Sequence, residues 1–207
     1  MQKDLVSVVT PCYNTGKYIH RLLDSILFQT YPHIEMFVID DGSTDNSKII
    51  IESYISKFNE KGYSLKYIYQ ENSGQSVALQ KGLDLCSGEF FVWPDSDDFY
   101  ASSESIEKMV LALQKYNSDE IGMVRTQNRI VDELTMRELR VQGLETNEVE
   151  QKCLFEDCLL GKNKFFFCAG AYMVRLEQLK KITLLPIYTE KNAGLSILSP
   201  YHHALFR

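Results

Sequence analysis

The sequence predicts an α/β fold, with a mostly parallel central sheet flanked by helices. Two observations carry that expectation. Short β-branched or apolar runs alternate with amphipathic helical stripes through the first hundred residues. Polar turns holding glycine or proline follow these runs. At 207 residues and 44% hydrophobic content, the chain is long enough to bury one such core.

Val6 to Thr10, closed by Pro11, reads as a first buried strand. Ile19, Leu22, Leu23, Ile26 and Leu27 recur at helical spacing, and Met36 to Ile39 is the next apolar run, which makes one β-α-β unit. The pattern repeats. Ile51, Tyr54, Ile55 and Phe58 mark a second helix, Leu65 to Tyr69 a third strand, Gln75 to Cys86 a third helix and Phe90 to Trp93 a fourth strand. Strands separated by helices in this way pair in parallel. Ile106, Met109, Val110 and Leu113 predict a fourth helix, and Ile121 to Arg125 a fifth strand.

From Asp132 to Lys152 the chain turns charge-rich and loses its period, which predicts an excursion that is mobile or faces a substrate. Order returns over Leu154 to Lys181, where Phe165, Phe166 and Phe167 lead to Gly170 and a helix over Leu176 to Ile182.

Composition excludes some functions. With 22 Lys and Arg against 28 Asp and Glu, the net charge of -6 offers no broad basic surface, so no nucleic-acid partner is expected. Cys12, Cys86, Cys153, Cys158 and Cys168 are odd in number and widely spaced, as reduced thiols of a cytoplasmic protein are. The first strand signal leaves no space for a signal peptide, and no apolar run approaches the ~20 residues of a membrane helix. Peripheral docking at the inner face of the membrane is then the way such a chain would work there.

Ligands of parallel α/β sheets bind beyond the carboxyl ends of the strands, so the residues just after each strand matter most. After strand one, Pro11, Cys12, Tyr13 and Asn14 form a rigid turn whose ring can stack on a base. After strand two, Gly42 and Ser43 or Thr44 read as a turn and a helix cap, but two adjacent carboxylates, Asp40 and Asp41, call for a donor such as a base imide or a ribose hydroxyl. After strand three, Glu71 to Ser76 reads either as a capped turn or as a helix entry facing a phosphate.

After strand four, Pro94 leads into Asp95, Ser96, Asp97 and Asp98, three carboxylates in four residues behind an apolar run. Hard oxygen ligands of this kind suit Mn2+ or Mg2+ that also bridges substrate phosphates, whereas a solvated acidic cap accounts for the string equally well on its own. An EF-hand is excluded, because the twelfth position from Asp95 or Asp97 is Ile106 or Lys108.

Taken together, VSVVTPCYN, SILFQTYPHIEMFVIDDGSTDNS, ENSGQSVALQKGL and SGEFFVWPDSDD resemble family 2 glycosyltransferases of the GT-A fold, over Leu5 to Tyr116. The resemblance implies a Rossmann-like single domain, with residues 1–118 as the nucleotide-sugar-binding half and 119–207 as the acceptor-binding half. It implies that Pro11 and Tyr13 flank the base, that Asp41 bonds its imide edge, and that Asn14, Gln75 and Ser76 join the nucleotide site. The D-x-D type stretch is implied to meet ribose through Asp95 and Asp97 and the metal through Asp97 and Asp98. Family members invert the anomeric centre, so the implied activity is transfer of a hexose from a UDP-linked donor to a saccharide or lipid-linked glycan acceptor, as in bacterial polysaccharide biosynthesis.

There are departures. Many relatives carry Arg where Leu79 stands, the tail after Ser199 ends where a relative would continue, and only Glu190 offers itself as the catalytic base. His202 and His203 are too isolated to read as metal ligands. Asp132 and Glu133 either face the acceptor or belong to a plain loop. The alternative function is a catalytically incomplete nucleotide-sugar-binding domain. A dinucleotide-binding dehydrogenase is set aside, because the first turn has no G-x-G-x-x-G.

Overall fold

The structure is a computed structural model, and it describes residues 1–115, 122–142 and 169–183. In chain order the elements are β1 (Gln2–Cys12), α1 (Ile19–Leu27), β2 (Ile34–Asp41), α2 (Ser47–Lys61), β3 (Ser64–Gln70), α3 (Gln75–Leu85), β4 (Gly88–Val92) and α4 (Ser105–Gln114). Then follow β5 (Met123–Arg125), β6 (Asn128–Val131), β7 (Glu138–Gln142), a 3-10 turn at Ala169–Ala171, β8 (Tyr172–Arg175) and α5 (Leu176–Thr183).

One six-stranded sheet runs in the order β3-β2-β1-β4-β8-β5. The first four strands are parallel, with Val6 opposite both Ile34 and Phe90. β8 is antiparallel to β4 and to β5, so the sheet is mostly but not wholly parallel. The chain winds from β1 outward to β3 and then returns to β4 on the other side of β1, which opens a crevice at the carboxyl ends of β1 and β4.

Alternation along the strands explains the two cores. Val8, Met36, Val38, Phe90 and Val92 face α1, α2 and α4, whose Leu22, Ile26, Ile51, Phe58, Ile106 and Val110 close that layer. Val9, Phe37, Ile39, Phe91 and Trp93 face the other way, against Ala78, Leu79 and Leu83 of α3 and Tyr172 and Leu176. Leu79 is therefore a core residue here. A Cβ on Gly82 would come within 2.2 Å of Val9 Cγ1, so only glycine lets α3 lie this close to β1.

Two parts differ from the pattern read along the chain. Residues 128–142 hold a hairpin, β6 paired antiparallel with β7, where the sequence from Asp132 onward predicts a mobile or substrate-facing excursion and no paired strands. Its turn is built by a side chain: Asp132 Oδ1 accepts from the Leu134 N–H at 3.2 Å, the Thr135 N–H at 2.8 Å and the Thr135 hydroxyl at 2.7 Å. The other difference is β8, a four-residue strand that no periodicity announces. Ile121, Phe165 to Phe167, the three later cysteines, His202 and His203 lie outside the described residues. Among the described residues, no helix is long and apolar enough to cross a membrane.

Candidate functional site

The loops that follow β1, β2, β3 and β4 emerge on one edge of the sheet and are stitched to one another. Asn14, at φ 53°, donates its backbone N–H to Ser43 Oγ at 2.9 Å and accepts the Thr44 N–H on Oδ1 at 2.8 Å. Thr15 N–H donates to Ser47 Oγ at 3.1 Å and Gly16 N–H to Asp45 Oδ2 at 2.9 Å. Asn14 thus fastens the first loop to the second. Tyr13 stands out from this clamp, 53% exposed, while Pro11 is half-buried in the strand end.

The carboxylate pair after β2 divides its work. Asp40 accepts the Ser43 N–H on one oxygen at 2.8 Å and the Tyr67 hydroxyl on the other at 2.6 Å, so it is a structural anchor. Asp41, 4% exposed, accepts Gln70 Nε2 at 2.7 Å, the Ser73 N–H at 2.8 Å and the Gly74 N–H at 2.8 Å. Burial raises the proton affinity of the Asp41 carboxyl, yet these three bonds outweigh it and hold the group below the usual carboxylate range. Positive φ at Gly74 (92°) helps turn these N–H groups toward Asp41, and Gly42 (86°) packs against the backbone of Asn72.

The fourth loop carries the acid cluster. Pro94 and Ser96 are buried, Asp95 and Asp98 half-buried and Asp97 exposed, and Asp98 N–H closes a turn on the Asp95 carbonyl at 3.1 Å. Burial, and then the charges of Asp98 and Asp97, push the Asp95 carboxyl up to about 6, against the Gln75 hydrogen bond that pulls it down. Gln75 Nε2 donates to Asp95 Oδ1 at 2.9 Å. Gln75 therefore positions a carboxylate, while Ser76 is exposed in the first turn of α3.

A cleft of about 1090 Å³ opens over this loop. Gln75, Asp95, Asp97 and Asp98 line one side. Tyr18, Arg21, Arg129, Glu133 and Glu138 also line it, and reading along the chain does not single out most of these. Tyr18 and Arg21 meet Glu133 across 115 and 112 residues of chain, so no local pattern announces the contact. Pro11, Tyr13, Asn14, Asp41 and Ser76 sit outside its lining, toward the ends of β1 and β2 and the start of α3. Glu190 lies outside the described residues.

The acid loop suits a hard divalent cation, because burial, and then the charges of Asp98 and Asp97, raise the proton affinity of Asp95, and a cation there would favour the charged form. Among the described residues, no group of three or more His, Cys, Asp or Glu is arranged to hold a metal. An ion at this loop would have to be held by one or two carboxylates and completed by substrate phosphates, as Mg2+ usually is.

With this geometry, the likenesses to known proteins become interpretable. The family described as Glycosyl transferase family 2 matches residues 7–183. The chain belongs to that family.

Glycosyltransferase GlyA of Streptococcus pneumoniae serotype 4 is 38% identical over 116 residues, which is 56% of this chain and 16% of GlyA. The chain therefore spans less than a fifth of that relative. S. aureus TarS 1-349 in complex with UDP-GlcNAc superposes with a TM-score of 0.60 at 23% identity, covering 95% of this chain and 52% of that one. The mannosyltransferase PcManGT from Pyrobaculum calidifontis, in complex with GDP-Man and Mn2+, gives a TM-score of 0.62 at 20% identity, covering 92% and 49%. At such identities the structural likeness establishes the fold, which is GT-A.

Proposed function

We propose that this chain acts as a metal-dependent, inverting glycosyltransferase that moves a hexose from a UDP-linked donor to a saccharide or lipid-linked glycan acceptor. The observation that carries the reading is the convergence of Asp95, Asp97 and Asp98 on one cleft at the carboxyl end of β4, in a chain of family 2. The ligands of TarS and PcManGT support a nucleotide-sugar donor. Residues 1–118 form the donor half in this reading and 119–207 the acceptor half.

Tyr13 offers its exposed ring to the base beside Pro11. Asp41 keeps about one of its four lone-pair sites for a base imide after accepting three internal donors. The laced loop of Asn14, with Gln75 and Ser76 at the start of α3, completes the nucleotide side. Asp95 and Asp97 face the ribose, and Asp97 and Asp98 would hold Mn2+ or Mg2+ together with the diphosphate. When bound, the ion offsets the charge that builds on the departing diphosphate. Inversion requires a carboxylate opposite the leaving group to take the acceptor proton during in-line attack on the anomeric carbon, and Glu190 is assigned that role.

Calorimetric titration of UDP into the chain, with Mn2+ and then with the metal chelated, tests the donor site. Binding that depends on Mn2+ is expected. Equal binding in chelator would remove the metal from the reading, and no binding in either condition would remove uridine.

A further inference from the structure

The hairpin β6–β7 is not continuous with the main sheet. A two-stranded hairpin alone is marginal in water, so its place over the cleft needs anchoring from outside. Its base follows Thr126, whose N–H donates to the Ala171 carbonyl at 2.9 Å. The tip is held differently. Lys17 Nζ donates to Glu133 Oε1 at 2.5 Å, the Tyr18 hydroxyl donates to the same oxygen at 3.1 Å, and Arg21 Nη2 donates to the Glu133 carbonyl at 3.4 Å. Among the described residues, every hydrogen bond that leaves residues 128–142 ends on Glu133.

Both sides of this contact are built to hold it. The Asp132 side chain fixes the turn in which Glu133 stands. On the other side Lys17 and Tyr18 follow directly on Gly16, the residue that the second loop grips through Asp45. Tyr18, Arg21 and Glu133 all line the cleft. The segment that presents Tyr13 to a base is therefore the segment that seizes the hairpin.

We propose that Glu133 is a positioning residue: it clasps the hairpin to the leading edge of α1, sets the width of the cleft opposite Asp95 to Asp98, and couples the loop of Tyr13 to the acceptor side. The inference rests on the glycosyl-transfer reading for its meaning, but not for its geometry. The Lys17 and Glu133 side chains are 68% and 47% exposed, so the clasp is a weak, salt-screened contact that opens and closes readily.

The test is hydrogen–deuterium exchange on the full chain, wild type against Glu133→Gln and against the exchanged pair Lys17→Glu with Glu133→Lys. Amides of 128–142 are expected to exchange about two- to tenfold faster in Glu133→Gln, the scale of a lost exposed network, with β1 to β4 unchanged as the check on folding. Raising the salt from about 0.05 to about 0.5 M should speed that exchange more in wild type than in Glu133→Gln, because salt screens the exposed Lys17–Glu133 pair, which the variant lacks, while both proteins keep the Arg129–Glu138 pair. The exchanged pair should restore slow exchange.

UDP with Mn2+ should then protect 128–142 in wild type and not in Glu133→Gln, and by linkage the Kd of the variant should rise by the same factor as the protection it loses. Unchanged hairpin exchange in Glu133→Gln, or equal UDP-induced protection in both proteins, overturns the proposal. Failure of UDP to bind wild type would overturn the proposed function instead, and hairpin exchange in the free chain would still decide the clasp.

Discussion

Gln75 Nε2 lies 2.9 Å from Asp95 Oδ1, which ties the first residue of α3 to the acid loop behind β4. The bond favours the charged form of a carboxyl that its surroundings drive toward the neutral one. Gln75→Ala should weaken UDP binding in Mn2+ by roughly 0.5 to 1.5 kcal/mol, the worth of one hydrogen bond, and leave thermal stability nearly unchanged. Calorimetry on the variant measures the first and a thermal melt the second.

Asp98→Ala should abolish the dependence of UDP binding on Mn2+. An ion held by few protein oxygens cannot lose one and keep its affinity. Wild-type affinity for UDP in Mn2+ would show that Asp98 is not a ligand.

Tyr13→Ala should cost about 1 to 3 kcal/mol of nucleotide affinity, as lost base–aromatic stacking does, whereas Tyr13→Phe should cost almost nothing. The ring is 53% exposed and belongs to no core, so neither variant should alter the folded fraction seen by circular dichroism.

Asp41→Asn should destabilise the fold by roughly 2 to 3 kcal/mol at pH 7, because an amide turns donor hydrogens toward the N–H groups of Ser73 and Gly74. The folded carboxyl is held below its unfolded value, so its contribution is present above the usual range near pH ~4 and is lost as pH falls through the folded value. The stability gap between wild type and variant should therefore narrow from pH 7 to pH 3 in urea titrations. A gap that stays constant would mean that the charge of Asp41 carries none of it.

Glu190→Gln should leave UDP binding intact and remove sugar transfer, since an amide cannot take the acceptor proton. Undiminished turnover, read as UDP release in the presence of an acceptor, would assign the base elsewhere.

Most elements from β1 to α4 were legible because they bury an apolar stripe or run, as Ile19, Leu22, Leu23 and Ile26 do in α1, whereas β3 buries only Leu65 and shows through its β-forming Tyr67, Ile68 and Tyr69. Tyr172 to Arg175 is only four residues long, and its antiparallel place between β4 and β5 comes from contacts made elsewhere in the sheet. The hairpin was illegible for a related reason: its turn rests on Asp132 accepting backbone N–H groups, which leaves no apolar trace. At the site, the acid residues of 95–98 stand out by their density. The partners of Asp41 do not, because two of the three are main-chain N–H groups of Ser73 and Gly74. The role of Asn14 as a clamp, and the grip of Lys17 on Glu133, depend on pairs separated by 30 and 116 residues.

The stitching of the four loops bears on how this scaffold can change its donor. Asn14 holds Thr44, Gly16 holds Asp45, Asp41 holds Ser73 and Gly74, and Gln75 holds Asp95, so a shift in one loop is passed to the next. If these loops form the floor of the proposed donor site, much of its ordering cost is met when the chain folds, before any nucleotide arrives. Retuning the base or sugar preference by altering a single stitch would disturb its neighbours. Selection can vary outward-facing side chains such as Tyr13 and Ser76 far more freely than the residues that fasten them.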